Sequence, residues 1–138
     1  MKRLLSLCLF APLFIFTSCS KDKQTVIDNT WIVESMKVHA DSAWQYPPNG
    51  AKYTLSFPDK HTYCLLLDKN QCAEDVKFEA NNKFKFKKLF CTAICCDSPF
   101  AETYASLFVD TKYNYTINEN KLILTNSNNK IILNFIKQ

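Results

Sequence analysis

Tyr113-Asn114-Tyr115-Thr116-Ile117 leads into Asn118-Glu119-Asn120, and Leu122-Ile123-Leu124 follows. Apolar side chains fall on every second position, the period of a strand with one buried face. The polar triplet between the two runs marks a hairpin turn. The same pattern extends in both directions. Downstream, Asn126 to Asn129 turns the chain into a last strand with Ile131, Leu133 and Phe135 on one face. Upstream, Phe84 and Phe86 alternate with Lys83, Lys85 and Lys87 after a turn at Asn81-Asn82, and Val76 and Phe78 flank Lys77 before it. Further runs lie at Trp31 to Val38, Ala51 to Phe57 and Thr62 to Leu67.

One segment breaks the alternation. Ser98-Pro99 fits an N-cap followed by proline at the first helical position. Phe100, Ala101, Tyr104, Leu107 and Phe108 then recur at three- and four-residue spacings, one face of a helix of about three turns. The expected fold is mainly β: about eight short antiparallel strands with a helix between strands five and six. So many short strands in so short a chain suggest a small barrel or strongly curled sheet, which removes exposed edges. The 138 residues contain a single glycine, Gly50. Asparagine tolerates the left-handed backbone of tight turns, so the twelve asparagines are expected to do work usually given to glycine.

An apolar content of 47% excludes a disordered chain, and no apolar run is long enough for a membrane-spanning helix. A formal net charge of +4 is too weak a bias to argue for nucleic acid.

The start reads as an address. Lys2 and Arg3 precede the apolar stretch Leu4 to Phe16, small residues follow, and Cys19 closes the segment. Positive, apolar and small, in that order, is the secretory signal layout. Phe16-Thr17-Ser18-Cys19 resembles a bacterial lipobox, in which the cysteine sulfur is acylated and becomes residue one after cleavage. Residues 1–18 are thus expected to be a lipoprotein signal peptide, residues 19–29 a lipidated Cys19 and polar tether, and residues 30–138 a β domain. Several acyl chains on Cys19 would anchor the chain firmly to a membrane. Ser20 looks like an outer-membrane sorting signal.

A family resemblance extends this. Asn70-x-Cys72 before Val76 and Phe78, Cys91-Thr92-x-x-Cys95, a helix with Glu102 and Leu107, Tyr113-x-Tyr115-x-Ile117 and Leu122-x-Leu124 resemble the META domain of small bacterial envelope lipoproteins. Asp97-Ser98-x-Phe100-Ala101 fits a variant with a double cysteine. The resemblance covers about residues 30–136 and implies a fold and an envelope location; the family has no established catalytic residues.

Seven cysteines carry the sharpest chemistry. Cys8 lies in the signal and Cys19 is the lipidation site. In an oxidising compartment the remaining five favour disulfides. Cys64 sits inside an apolar strand and is expected to remain a free core thiol. Of the three pairings of the other four, a bond between neighbours Cys95 and Cys96 would strain a small ring. Cys72 and Cys91 are therefore each expected to pair with one of Cys95 and Cys96. A metal held by these four thiolates is the less favoured alternative, because the paired short spacings of zinc sites are absent.

Lys83, Lys85, Lys87 and Lys88 are expected to form a solvated strand face with charged edge protection, in preference to an anion or lipid-headgroup patch. His39 and His61 stand alone. Trp44-Gln45-Tyr46-Pro47-Pro48-Asn49-Gly50 is an aromatic, proline-stiffened loop, read either as a recognition loop at a barrel mouth, with Trp44 and Tyr46 as candidate binding residues, or as a lid on its own core. No nucleophile elbow, phosphate loop or metalloprotease helix occurs.

The expectation is a lipid-anchored, non-catalytic envelope protein of the outer membrane without a cofactor, binding an envelope partner or serving in envelope stress. The alternatives are a calycin-like carrier of a small apolar ligand and an inhibitor of an envelope hydrolase. Large inward aromatics (Phe84, Phe86, Phe135) count against the carrier, because they would fill a small barrel.

Overall fold

A computed structural model describes residues 18–138; residues 1–17, which carry all but the last residue of the expected signal peptide, and Cys8 with them, lie outside the described residues. Helix α1 (Ser18–Ile27) precedes β1 (Trp31–Lys37), β2 (Thr54–Ser56), β3 (Thr62–Leu66), β4 (Gln71–Glu79), β5 (Lys83–Phe86) and β6 (Phe90–Cys91). Helix α2 (Pro99–Ser106), β7 (Lys112–Asn118), β8 (Lys121–Asn126) and β9 (Ile132–Lys137) follow. All pairings are antiparallel; eight strands run in the order β3-β2-β1-β9-β8-β7-β5-β4, and the β3–β4 pairing closes the ring. The result is the expected mainly β fold, an eight-stranded antiparallel barrel. The two-residue β6 is an appendage on β4. It is too short to show any alternation in sequence.

Alternation decides which side chains enter. Tyr53, Leu55 and Phe57, Tyr63 and Leu65, Phe84 and Phe86, Tyr113 and Tyr115, Leu122 and Leu124, and Leu133 and Phe135 are all buried on the inner face. β1 breaks this parity: Trp31 and Val33 point in, and so does Met36. The register with β9 shifts between Val33 and Ser35, a bulge that leaves Glu34 unmatched and re-aims the residues after it. Buried Ser35 is satisfied there by Asn134, whose Nδ2 donates to its hydroxyl at 3.0 Å.

Aromatic rings fill the interior. Phe84 contacts Tyr115 at 4.4 Å, Phe78 at 4.9 Å, Phe57 at 5.5 Å and Phe86 at 5.6 Å between centroids. Such pairs contribute beyond their apolar area.

The strand directions define two ends. One holds the starts of β1 and β5 and the β7–β8 turn, and α1 sits there. Val26 is fully buried, its carbonyl accepts from Trp31 Nε1 at 3.1 Å, and Lys23 Nζ lies 5.0 Å from the Phe78 ring. The segment expected as a polar tether is thus a helix ending in a core contact. Its sequence hid this, since Val26 and Ile27 are its only large aliphatic residues.

The opposite end holds the long connections around residues 38–53 and 87–111. Ser98 caps α2 by accepting from Ala101 N at 3.3 Å, as the sequence predicted. The helix is shorter than expected, eight residues, and Leu107 and Phe108 continue its apolar face in tight turns beyond its end. Ala101, Tyr104, Ala105 and Phe108 are buried and close this end from inside.

Asn81, Asn82 and Asn129 take left-handed backbone in the turns where asparagine was expected to replace glycine. Asp110 and Glu119 share that conformation, so asparagine does only part of the work.

Candidate functional site

The helix-α2 end carries the densest polar chemistry. Asn70 lies just before β4 and is almost fully buried. Its Nδ2 donates to the Ile94 carbonyl and to Asp97 Oδ2, each at 2.6 Å. Its Oδ1 accepts from Thr92 Oγ1 at 2.7 Å and from the Ile94 amide at 2.9 Å. One buried amide thus uses both donors and its acceptor to hold a loop more than twenty residues away. Asp97 returns the bond, accepting from the Lys69 amide at 2.8 Å.

A second peg lies alongside. Asp68 accepts from the Tyr53 hydroxyl at 2.7 Å and from the Ser98 amide at 2.8 Å. The Ser98 hydroxyl, followed by its amide and the Tyr53 hydroxyl, holds the Asp68 carboxyl below its usual range. Burial pushes the Tyr53 hydroxyl up. Tyr53, Asp68 and Ser98 thus form one hydrogen-bonded cluster with the carboxylate as acceptor. The Ser98 hydroxyl caps α2 and meets Tyr53 at 3.0 Å. His61 lies at the other end, beside the Asp59 turn. These groups hold loops.

The cysteines correct the expected pairing. Cys72 is bonded to Cys91, and Cys95 to Cys96. Cys72 and Cys91 stand directly opposite each other in the β4–β6 register, a partnership created by a strand that sequence reading missed. Cys72 is fully buried, whereas Cys95 and Cys96 are exposed. Cys96 has φ 126°, a backbone region that side chains rarely occupy.

Cys64 is a free thiol, as expected, but it does not lie in the core. Tyr63 and Leu65 take the inner face of β3, so Cys64 faces outward into a shallow groove with Thr54, Ser56 and Gln71. Partial burial pushes its thiol up, away from the reactive thiolate. Among the described residues, no three of His, Cys, Asp and Glu converge as metal ligands.

The loop after β1 is fixed at its middle. Met36 and Gln45 exchange backbone bonds of 2.9 and 2.8 Å, so Gln45 is tied to the barrel wall. Trp44 and Tyr46, on either side, remain 40% and 66% exposed. Lys37 Nζ sits 5.9 Å from the Trp44 ring. The lid alternative is thereby removed. Phe90 and Ile94 are also exposed at this end.

The lysines lie on the outer wall, as expected. Lys77, Lys85 and Lys112 face one another across β4, β5 and β7. Lys112 pairs with Glu79, and Lys87 with Asp75 at 2.8 Å.

No family model and no curated protein matches the chain. Solved structures share its fold. A protein from Burkholderia xenovorans, solved by NMR, is 18% identical with a TM-score of 0.66, covering 100% of this chain and 98% of that one. A DUF4847 family protein from Bacteroides vulgatus is 11% identical with a TM-score of 0.60, covering 83% of this chain and 96% of that one. At these identities the likeness concerns the fold alone.

Proposed function

We propose that this chain is a lipid-anchored, non-catalytic protein of the bacterial cell envelope that binds a protein partner through the loops at the α2 end of its barrel. The observation that carries the reading is the position of Trp44 and Tyr46. They stay exposed on a loop pinned by Gln45, at the end of the barrel opposite α1, which holds Cys19. Large aromatics held rigidly at the surface lose little conformational freedom on binding and are frequent anchors of interfaces. An anchor on Cys19 would leave that end turned away from the membrane.

Further support for the envelope comes from the signal-like start, the lipobox-like Phe16-Thr17-Ser18-Cys19 and the resemblance to META-domain lipoproteins. A carrier needs open apolar space inside the barrel, but Phe84, Phe86, Phe108, Phe135 and Tyr104 occupy it. Inhibition of an envelope hydrolase is one form the partner interaction can take, through the same loop.

Detergent phase partitioning of the full chain expressed in bacteria tests the anchor. The wild type should enter the detergent phase and Cys19→Ser should stay aqueous; equal partitioning contradicts it. A photo-crosslinker at Tyr46 should then give a discrete adduct in cells that is lost with Trp44→Ala. Its persistence in that variant removes Trp44 as an anchor of the contact, and the absence of any adduct removes the loop from the interface.

A further inference from the structure

We propose that Cys95–Cys96 is a thiol–disulfide exchange site for a dithiol partner, while Cys72–Cys91 is the structural bridge. The two bonds sit on the same segment and differ in burial and in the length of chain they close. Cys72 has no exposed surface, while Cys91, its partner in register across two strands, lies at the surface, so the barrel shields one side of this bond. Cys95 and Cys96 are both exposed, so neither side of their bond is buried. Attack on a disulfide needs access to sulfur along the bond, so exposed bonds exchange and buried ones resist.

The exposed bond contributes little to the fold. A disulfide stabilises mainly by closing a loop in the unfolded chain, and joining immediate neighbours closes almost none. Nor does the loop depend on it. On one side the Thr92 amide donates to the Gln71 carbonyl at 3.0 Å, and Ile94 is held through both its backbone groups by Asn70. On the other side Asp97 is tied to the Lys69 amide and the Ser98 amide to Asp68. Cys95 and Cys96 are therefore a two-residue span between fixed posts. Opening the bond frees the left-handed backbone at Cys96 without releasing either post. Exposed Ile94 immediately precedes the pair and offers an apolar contact to a partner.

The step balances with a dithiol as reductant. A partner thiolate attacks one sulfur of the pair, forming a mixed disulfide, and the other sulfur leaves as a thiolate and takes up a proton. The partner's second thiolate then attacks the partner's first sulfur, and the cysteine held in the mixed disulfide leaves as a thiolate and takes up a proton. The partner leaves with its own internal disulfide, and Cys95 and Cys96 are both thiols. Two electrons and two protons have moved.

Graded dithiothreitol applied to the purified, folded full chain tests this, with alkylation and peptide mass mapping at each concentration. Cys95 and Cys96 should become alkylated together at a reductant concentration about tenfold or more below that which opens Cys72–Cys91. The circular dichroism of the β fold should not change over that interval. Opening of both bonds together, prior opening of Cys72–Cys91, or a mapped bond joining either of Cys95 and Cys96 to Cys72 or Cys91 would overturn the proposal. Repeating the titration with Cys64→Ala should leave the order unchanged. An order that depends on Cys64 would make shuffling through that thiol the route and would equally overturn it.

Discussion

The two ends of this barrel are closed by different means. At the α1 end, short turns join the strands, Asn81-Asn82 and Glu119 take left-handed backbone, and Val26 packs into the core. At the α2 end two of the connections are long, and both disulfides, the Asn70 and Asp68 pegs and most exposed aromatics gather there. One aromatic core supports both. A filled barrel supplies a rigid wall, and loops fixed to that wall can carry recognition without carrying the fold.

That division can be broken most forcefully through the core. Phe84→Ala removes a fully buried ring with four aromatic neighbours and should cost about 3–5 kcal/mol in urea unfolding, a global effect felt at both ends. A cost below about 1 kcal/mol would mean that the interior is not packed as described. Asn70→Ala should come next, at about 2 kcal/mol, because it strands the groups that hold residues 92–97. Its signature is local: hydrogen exchange should accelerate from Thr92 to Asp97 and stay unchanged at the β7–β8 turn. Uniform acceleration would contradict the independence of the ends.

Tyr104→Phe should have the smallest effect, with the opposite sign. The Tyr104 hydroxyl is buried without a hydrogen-bond partner, so its removal should stabilise by about 1 kcal/mol. Burial also raises the hydroxyls of Tyr53, Tyr63, Tyr104 and Tyr113 above their ordinary value. A raised folded value means stability that is fully present below the unfolded tyrosine value, near pH 10, and is lost as pH rises past it. Tyr104→Phe should lose less stability than the wild type between about pH 10 and 11.5. An equal loss would show that this hydroxyl is not sequestered.

The wall was legible in the sequence, and the α2 end largely was not. Alternation at Phe84 and Phe86, or at Tyr113 and Tyr115, reports burial directly because a strand has two faces. The apolar run Tyr63 to Leu67 carries no such parity, and so Cys64 was assigned to the core although it faces outward. Ser98-Pro99 announced α2 because a cap is a local signal. Asn70 gave no equivalent sign: its partners lie more than twenty residues ahead, and contacts at that range leave no periodicity. The same blindness affected the disulfides, since Cys91 meets Cys72 only through β6.

The proposed anchor on Cys19 would orient those two ends on a membrane, and the chain carries its own probe of that orientation. Trp31 is fully buried and Trp44 is 40% exposed, so the emission that aqueous iodide can reach belongs to Trp44. The measurement uses acylated protein purified from membranes and returned to vesicles, quenched by iodide from the water or by doxyl-labelled lipid from the bilayer. Iodide should quench Trp44 as efficiently on vesicles as in detergent, and doxyl lipid should leave it untouched. Quenching of Trp44 by doxyl lipid with shielding from iodide would place the loop end against the membrane and contradict the account.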